Sequence, residues 1–101
     1  MPAAARKDGT DNVSTGHACD GSTVTNEGSS DVFVNGKGVV RLGDLQQVHA
    51  ILVGMSCVPH VLALSSSSST VFVNGKGAGR KGDVYGGEII TSGSDNVFFG
   101  D

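Results

Sequence analysis

The side chains with the most chemistry to offer are His17, Cys19, His49, Cys57 and His60. They fall in two stretches, Gly16-His17-Ala18-Cys19-Asp20-Gly21 and the segment from His49 to Cys57-Val58-Pro59-His60. Imidazole nitrogen and thiolate sulfur are the donors Zn²⁺ prefers, and four of them close a tetrahedral structural site. The spacing is not the paired Cys-x-x-Cys of a zinc ribbon, so spacing alone leaves a plainer reading open: scattered polar histidines and two buried cysteines. Catalysis is less well served. Cys57 and His60 offer a nucleophile and a base, but no oxyanion loop or third group accompanies them. There is no His-Glu-x-x-His, and Gly36-Lys37-Gly38 follows a strand without opening a helix, which argues against a nucleotide loop. The acidic turn residues Asp44, Asp83 and Asp101 are expected to bind turn amides rather than act as acids.

These five residues must be positioned by the rest of the chain, and the rest of the chain is a repeat. Val-Phe-Val-Asn-Gly-Lys-Gly occurs at Val32–Gly38 and again at Val71–Gly77, and a truncated copy, Asn96-Val97-Phe98-Phe99-Gly100-Asp101, closes the sequence. Internal repeats dictate architecture, so they are read first. Val-Phe-Val is a short strand, and Asn-Gly tolerates the positive φ that a type I′ turn needs at both central positions. Each unit is therefore a hairpin, with return strands such as Val39 to Leu42, ended by a turn at Gly43-Asp44 or Gly82-Asp83. Arg6-Lys7-Asp8-Gly9 is a degenerate echo of that ending. All the histidines and cysteines lie between the hairpins. If the hairpins form equivalent walls, the connections emerge at one end and bring the ligands together.

The connections are less regular. Ser22 to Asn26 reads as a strand, and Leu45 to Val53 as a short helix or a strand, broken by Gly54. Cys57-Val58-Pro59-His60 reads as a compact turn, Ser65 to Ser69 as the lead-in to the second hairpin, and Val84 to Thr91 as a turn plus a strand.

The chain has 101 residues, no Trp, one Tyr and four Phe. One domain over residues 1–101 is expected, with no fused effector domain, and with a core thin enough to need a staple. A net charge of −3 without a basic run disfavours nucleic acid. No apolar stretch approaches the roughly 20 residues of a membrane span, so stable membrane insertion is not expected. The N-terminal stretch lacks the apolar centre of a signal peptide, which places synthesis in the cytoplasm, where cysteines stay reduced. Cys19 and Cys57 are expected not to form a disulfide.

These residues resemble the PAAR-repeat family, whose repeat reads Gly-Ser-x-x-Val-x-Val-Asn-Gly-x-Pro-Ala-Ala-Arg-x-Gly-Asp. Gly28 to Asp44 fits it with Gly38-Val39-Val40-Arg41 in the Pro-Ala-Ala-Arg slot, and Ser67 to Asp83 with Gly77-Ala78-Gly79-Arg80. The resemblance implies an all-β fold: a small cone of β-hairpins with pseudo-threefold symmetry and a metal ion near its point. It further implies a non-enzymatic, zinc-stabilised tip. That tip would cap the trimeric β-helical spike of a contractile injection machine, in a phage tail or a type VI secretion system. One monomer would sit on each trimer, assembled at the spike tip and delivered through the target cell envelope.

Carried over by position, His17, His49 and His60 match the family's ligands, with one structural Zn²⁺ per chain. Members often carry Cys-Gly in the last loop, where this chain has Tyr85-Gly86-Gly87. The fourth ligand is therefore expected from Cys57, which shares a turn with His60, or alternatively from Cys19. The missing prolines of the Pro-Ala-Ala-Arg slots are a second departure. Two other classes are carried beside this reading: a small zinc-dependent hydrolase, and a carbohydrate- or receptor-binding module. Alternation along each Val-Phe copy sends the valines inward and leaves Phe33, Phe72 and Phe98 at the base or walls, unless all three simply fill the core.

Overall fold

A computed structural model describes residues 1–100. Asp101, expected to serve a turn as Asp44 and Asp83 do, lies outside the described residues. Within them the chain forms no helix and ten short strands: β1 (Asn12–Ser14), β2 (Ser22–Val24), β3 (Phe33–Val34), β4 (Lys37–Gly38), β5 (His49–Val53), β6 (Ser56–His60), β7 (Phe72–Val73), β8 (Lys76–Gly77), β9 (Val84–Tyr85) and β10 (Glu88–Ile90). This is the all-β set of hairpins that the repeats predict.

Both Asn-Gly hairpins form as expected. Asn35 and Gly36 have φ of 54° and 80°, and Asn74 and Gly75 have 54° and 77°. Positive φ at both central residues is what a two-residue turn requires if it is to match the twist of its strands. Phe33 pairs with Gly38, and Phe72 with Gly77. One residue past these pairs, Val39 and Ala78 still donate their N–H to Val32 O and Val71 O of their own hairpins; the residues after them, Val40 and Gly79, bond to the neighbouring sector instead.

The third wall is built from both ends of the chain. Ala3 bridges Phe98, the place taken by Gly38 against Phe33 and by Gly77 against Phe72. The truncated copy at the C-terminal end is thus completed by Ala3-Ala4-Ala5-Arg6. Three bridges then run cyclically around the axis: Ala4 to Arg80, Arg41 to Ala78, and Arg6 to Val39. Three backbone bonds close a ring: Ala5 N–H to Gly79 O at 3.0 Å, Gly79 N–H to Val40 O at 2.7 Å, and Val40 N–H to Ala5 O at 3.0 Å. A side chain at the second of these positions would be tightly packed. A Cβ on Gly79 would meet Val40 O and a Leu64 methyl, each at 3.0 Å.

The sequence endings repeat the same symmetry. Asp44 accepts the backbone N–H of Arg41 at 2.8 Å and both arms of its guanidinium, and Asp83 does the same for Arg80. The third carboxylate in this role is the buried Asp11, which holds Arg6 through its N–H at 2.7 Å and its guanidinium at 3.1 and 2.9 Å. The echo at Arg6 is therefore real: Arg6 has the same carboxylate partnership as Arg41 and Arg80. Ser29, Ser68 and Ser94 each accept the N–H of the valine three residues on, at 2.9, 2.9 and 3.0 Å, so the serine of every lead-in fixes the start of its strand.

The core has two layers. Ala4, Val34, Val39, Val73 and Ala78 pack together, flanked by Val71, Val97 and Phe99. Ala5, Val13, Val40, Leu64, Tyr85 and Ile90 form the next cluster, with Leu62 against it. Ala4-Ala5 and Val39-Val40 each contribute one residue to either layer, which stacks the layers along the axis. The second layer takes Val13, Tyr85 and Ile90 from a sheet in the order β2-β1-β10-β9, all antiparallel. Farthest along is the β5–β6 hairpin, and the molecule measures 42 × 23 × 23 Å.

The β5–β6 hairpin settles the segment that sequence left as helix or strand. Its two strands pair from His49–His60 to Val53–Ser56 around a turn at Gly54-Met55. Cys57 to His60 is thus a strand and not a compact turn. Val84 to Ile90 is likewise a hairpin, rather than a turn leading to a single strand.

Candidate metal centre

Each ligand candidate is placed by a different piece of this scaffold. His49 and His60 are directly opposed at the inner end of the β5–β6 ladder. Their ring centroids lie 5.0 Å apart. His17 comes from the β1–β2 loop, where its N–H bonds to Thr15 Oγ1 at 3.2 Å. Its ring lies 5.7 Å from that of His49 and 5.5 Å from that of His60. The structure therefore brings all three predicted histidines to one point.

The fourth member is Glu88, the first residue of β10, which sequence reasoning missed. Its Oε2 lies 2.5 Å from His17 Nε2, 3.0 Å from His49 Nε2 and 3.4 Å from His60 Nε2. The signal for it was the alternation in Glu88-Ile89-Ile90. Glu88 and Ile90 are buried and Ile89 is exposed, so the carboxylate sits on an inward face, where a lone charge needs a partner. The last loop does supply a ligand candidate. It is a carboxylate just beyond the two glycines, whereas the expected fourth ligand, Cys57 or Cys19, lies outside this loop.

The expectation that Cys57, or alternatively Cys19, completes the site is corrected. The two are joined in a disulfide, with Cα atoms 6.0 Å apart, and neither thiol is free. The physical reason lies in the strand. Successive side chains on β6 alternate, so His60 and Val58 share one face while Cys57 faces the other way. Cys57 therefore points away from the histidines and meets Cys19. The second expectation, that the cysteines stay reduced, falls with it. The disulfide ties the loop bearing His17 to the hairpin bearing His49 and His60. Asp20, next to Cys19, reinforces the tie by accepting the Ala50 N–H at 2.7 Å.

The donor set fits a cation. One ligand atom from each of the four side chains lies within 4.8 Å of every other. A tetrahedral site with bonds of about 2.0–2.1 Å has ligand atoms roughly 3.4 Å apart, so small movements close the shell. The hydrogen bonding is also unbalanced. Three imidazole nitrogens crowd Glu88 Oε2, while the buried Oε1 makes no well-formed hydrogen bond and faces the Gln46 amide. A cation among the four groups would be ligated by the unprotonated ring nitrogens and the carboxylate together. Burial pushes the Glu88 carboxyl up, but His17, the facing Gln46 amide and His49 together hold it below its ordinary value, so the carboxylate is ionised. Gln46 is itself fixed by the Leu62 N–H, which donates to its Oε1 at 2.9 Å.

Residues 20–85 match the family model described as the PAAR motif. The match spans both Asn-Gly hairpins with His49 and His60, and leaves His17 and Glu88 outside. The comparison with curated proteins gives no match.

Proposed function

This chain belongs to the PAAR-motif family, and from that membership we propose that it is the metal-pinned tip of a contractile injection machine, in a phage tail or a type VI secretion system. In this reading it is made in the cytoplasm, binds the blunt end of a trimeric β-helical spike as one monomer per trimer, and travels with the spike through the target envelope. Its role is mechanical and not enzymatic.

The observation that carries the reading is the exposure of one aromatic at the same place in each sector. Phe33, Phe72 and Phe98 are 57%, 61% and 47% exposed, while Val34 and Val73 beside them are buried. Each phenylalanine belongs to the rung that opens its wall, at the layer farthest from the histidines. A single chain thus presents three equivalent apolar positions at the layer away from the histidines, the arrangement a threefold partner can meet with three equivalent contacts. An exposed patch of this kind is the ordinary mark of a docking surface.

At the other end, His17, His49, His60 and Glu88 would hold one Zn²⁺ per chain. When bound, the ion supplies cross-linking of the β1–β2 loop, the β5–β6 hairpin and β10, and with it folding free energy. The protein's own part is to preorganise the donors. The disulfide fixes the loop, the His49–His60 rung fixes two rings, and the sheet fixes Glu88.

Co-expression with the C-terminal β-helix of a trimeric spike from the same genome, followed by mass determination by light scattering, tests the proposal. One chain per trimer is expected. Three chains per trimer, or no complex with any such spike, overturns it.

A further inference from the structure

Building on the tip reading, we propose that the apolar turn of the β5–β6 hairpin, formed by Leu52, Val53 and Met55, is a lipid-contacting point that enters the acyl boundary of a bilayer ahead of the metal centre. Leu52 and Val53 are about half exposed, and Met55 is fully exposed. From the His49–His60 rung to Val53 the hairpin runs four residues, or roughly 13 Å of strand, so the turn projects well past the histidines.

Two observations select lipid as the occupant. The first is charge. From Leu45 to Gly75 the sequence contains no Lys, Arg, Asp or Glu. The nearest carboxylate on the hairpin's flank is Asp20, held at Ala50, below the exposed turn. Nothing on the outer hairpin must be desolvated as an ion. The second is area. Three convex side chains offer on the order of 300 Å², short of the roughly 800 Å² per partner in a stable protein interface. A fluid apolar phase requires neither that area nor a complementary shape. The outer edges of a two-stranded hairpin carry backbone groups that hydrocarbon cannot satisfy, which keeps the contact shallow and reversible.

The chain has no Trp, so Met55→Trp provides a single fluorescent reporter at the turn. Its emission is expected to shift to the blue on titration with neutral phosphatidylcholine vesicles. The shift should not depend on salt, and quenching should be stronger from bromine near the top of the acyl chain than from bromine at the bilayer centre. Adding Leu52→Asp and Val53→Asp to the same reporter protein should lower partitioning roughly tenfold or more. Three results would overturn the proposal: no shift at millimolar lipid, equal shifts in the two reporter proteins, or a shift that grows with protein concentration in the absence of lipid, which would mean that a second copy covers the turn. Spike capping measured on the same two proteins keeps the readings apart, because the phenylalanines lie at the other end. Partitioning without capping removes the tip reading alone, and capping without partitioning removes the lipid contact alone.

Discussion

Ala3 and Phe98 form an antiparallel backbone bridge that joins the beginning of the chain to its end. This bridge makes the third wall, and Ala4 and Ala5 continue it into the fully buried centre of the molecule. Deleting Met1 to Ala5 is therefore expected to open the ring at Ala5, Gly79 and Val40 and to strip a rung from the third sector. Thermal unfolding followed by circular dichroism should show a transition lowered by ten degrees or more, on the order of 2–4 kcal/mol, or lost altogether. An unchanged transition would mean that the N-terminal residues are ornamental to the fold.

Tyr85 is buried in the second core layer, and its hydroxyl has no hydrogen-bond partner. Burial, with the charges of Asp44 and Asp11, pushes its phenol above the ordinary value. A folded-state pKa above the unfolded one gives stability that is complete below about pH 10 and is lost as the pH rises beyond it. Denaturant midpoints measured across pH 8–11.5 should fall above pH 10 in the natural protein and fall less in Tyr85→Phe. At pH 7 the substitution should cost under about 1 kcal/mol, since no hydrogen bond is lost. A large loss at neutral pH would point to a partner for the hydroxyl.

Reduction of Cys19–Cys57 opens a 38-residue cross-link. By chain entropy such a link contributes about 3–4 kcal/mol. It also holds the His17 loop against the hairpin, so the double variant Cys19→Ser/Cys57→Ser should lose both unfolding free energy and metal affinity. Denaturant melts and a competition titration with a chromogenic chelator measure the two losses. Undiminished or higher metal affinity in the reduced natural protein would mean that a freed thiolate enters the site.

Glu88→Gln preserves the shape and a polar side chain but removes the anionic donor. Metal affinity is expected to fall by more than about 100-fold, beyond the range typical of outer-shell changes. The thermal shift on adding Zn²⁺ should fall with it. Affinity within a factor of a few of the natural protein would place Glu88 outside the shell.

Much of this architecture is legible in the sequence because it is repeated. Asn-Gly after a Val-Phe-Val run names a turn type, and two such runs with a third truncated copy name a threefold plan. The location of the three histidines between hairpins foretells their meeting. The N-terminal completion of the third wall is harder to see. It is split across the chain ends, and Ala3-Ala4-Ala5 carries no β-branched signature. Cys57 misleads because its closeness to His60 in sequence suggests a shared turn, whereas on a strand residues three apart face opposite sides. Glu88 hides for the opposite reason: it stands among apolar residues, and only the pairing of β10 with β1 shows that its face is turned inward.

The proposed metal centre consists of three imidazoles and one carboxylate, with both sulfurs tied up elsewhere. X-ray absorption at the zinc edge, on protein purified without added metal and verified to hold one equivalent, reads the first shell directly. Only nitrogen and oxygen scatterers are expected, at about 2.0–2.1 Å, with multiple-scattering features from three histidines. A sulfur scatterer at about 2.3 Å would contradict this ligand set and return Cys57 or Cys19 to the shell in place of Glu88.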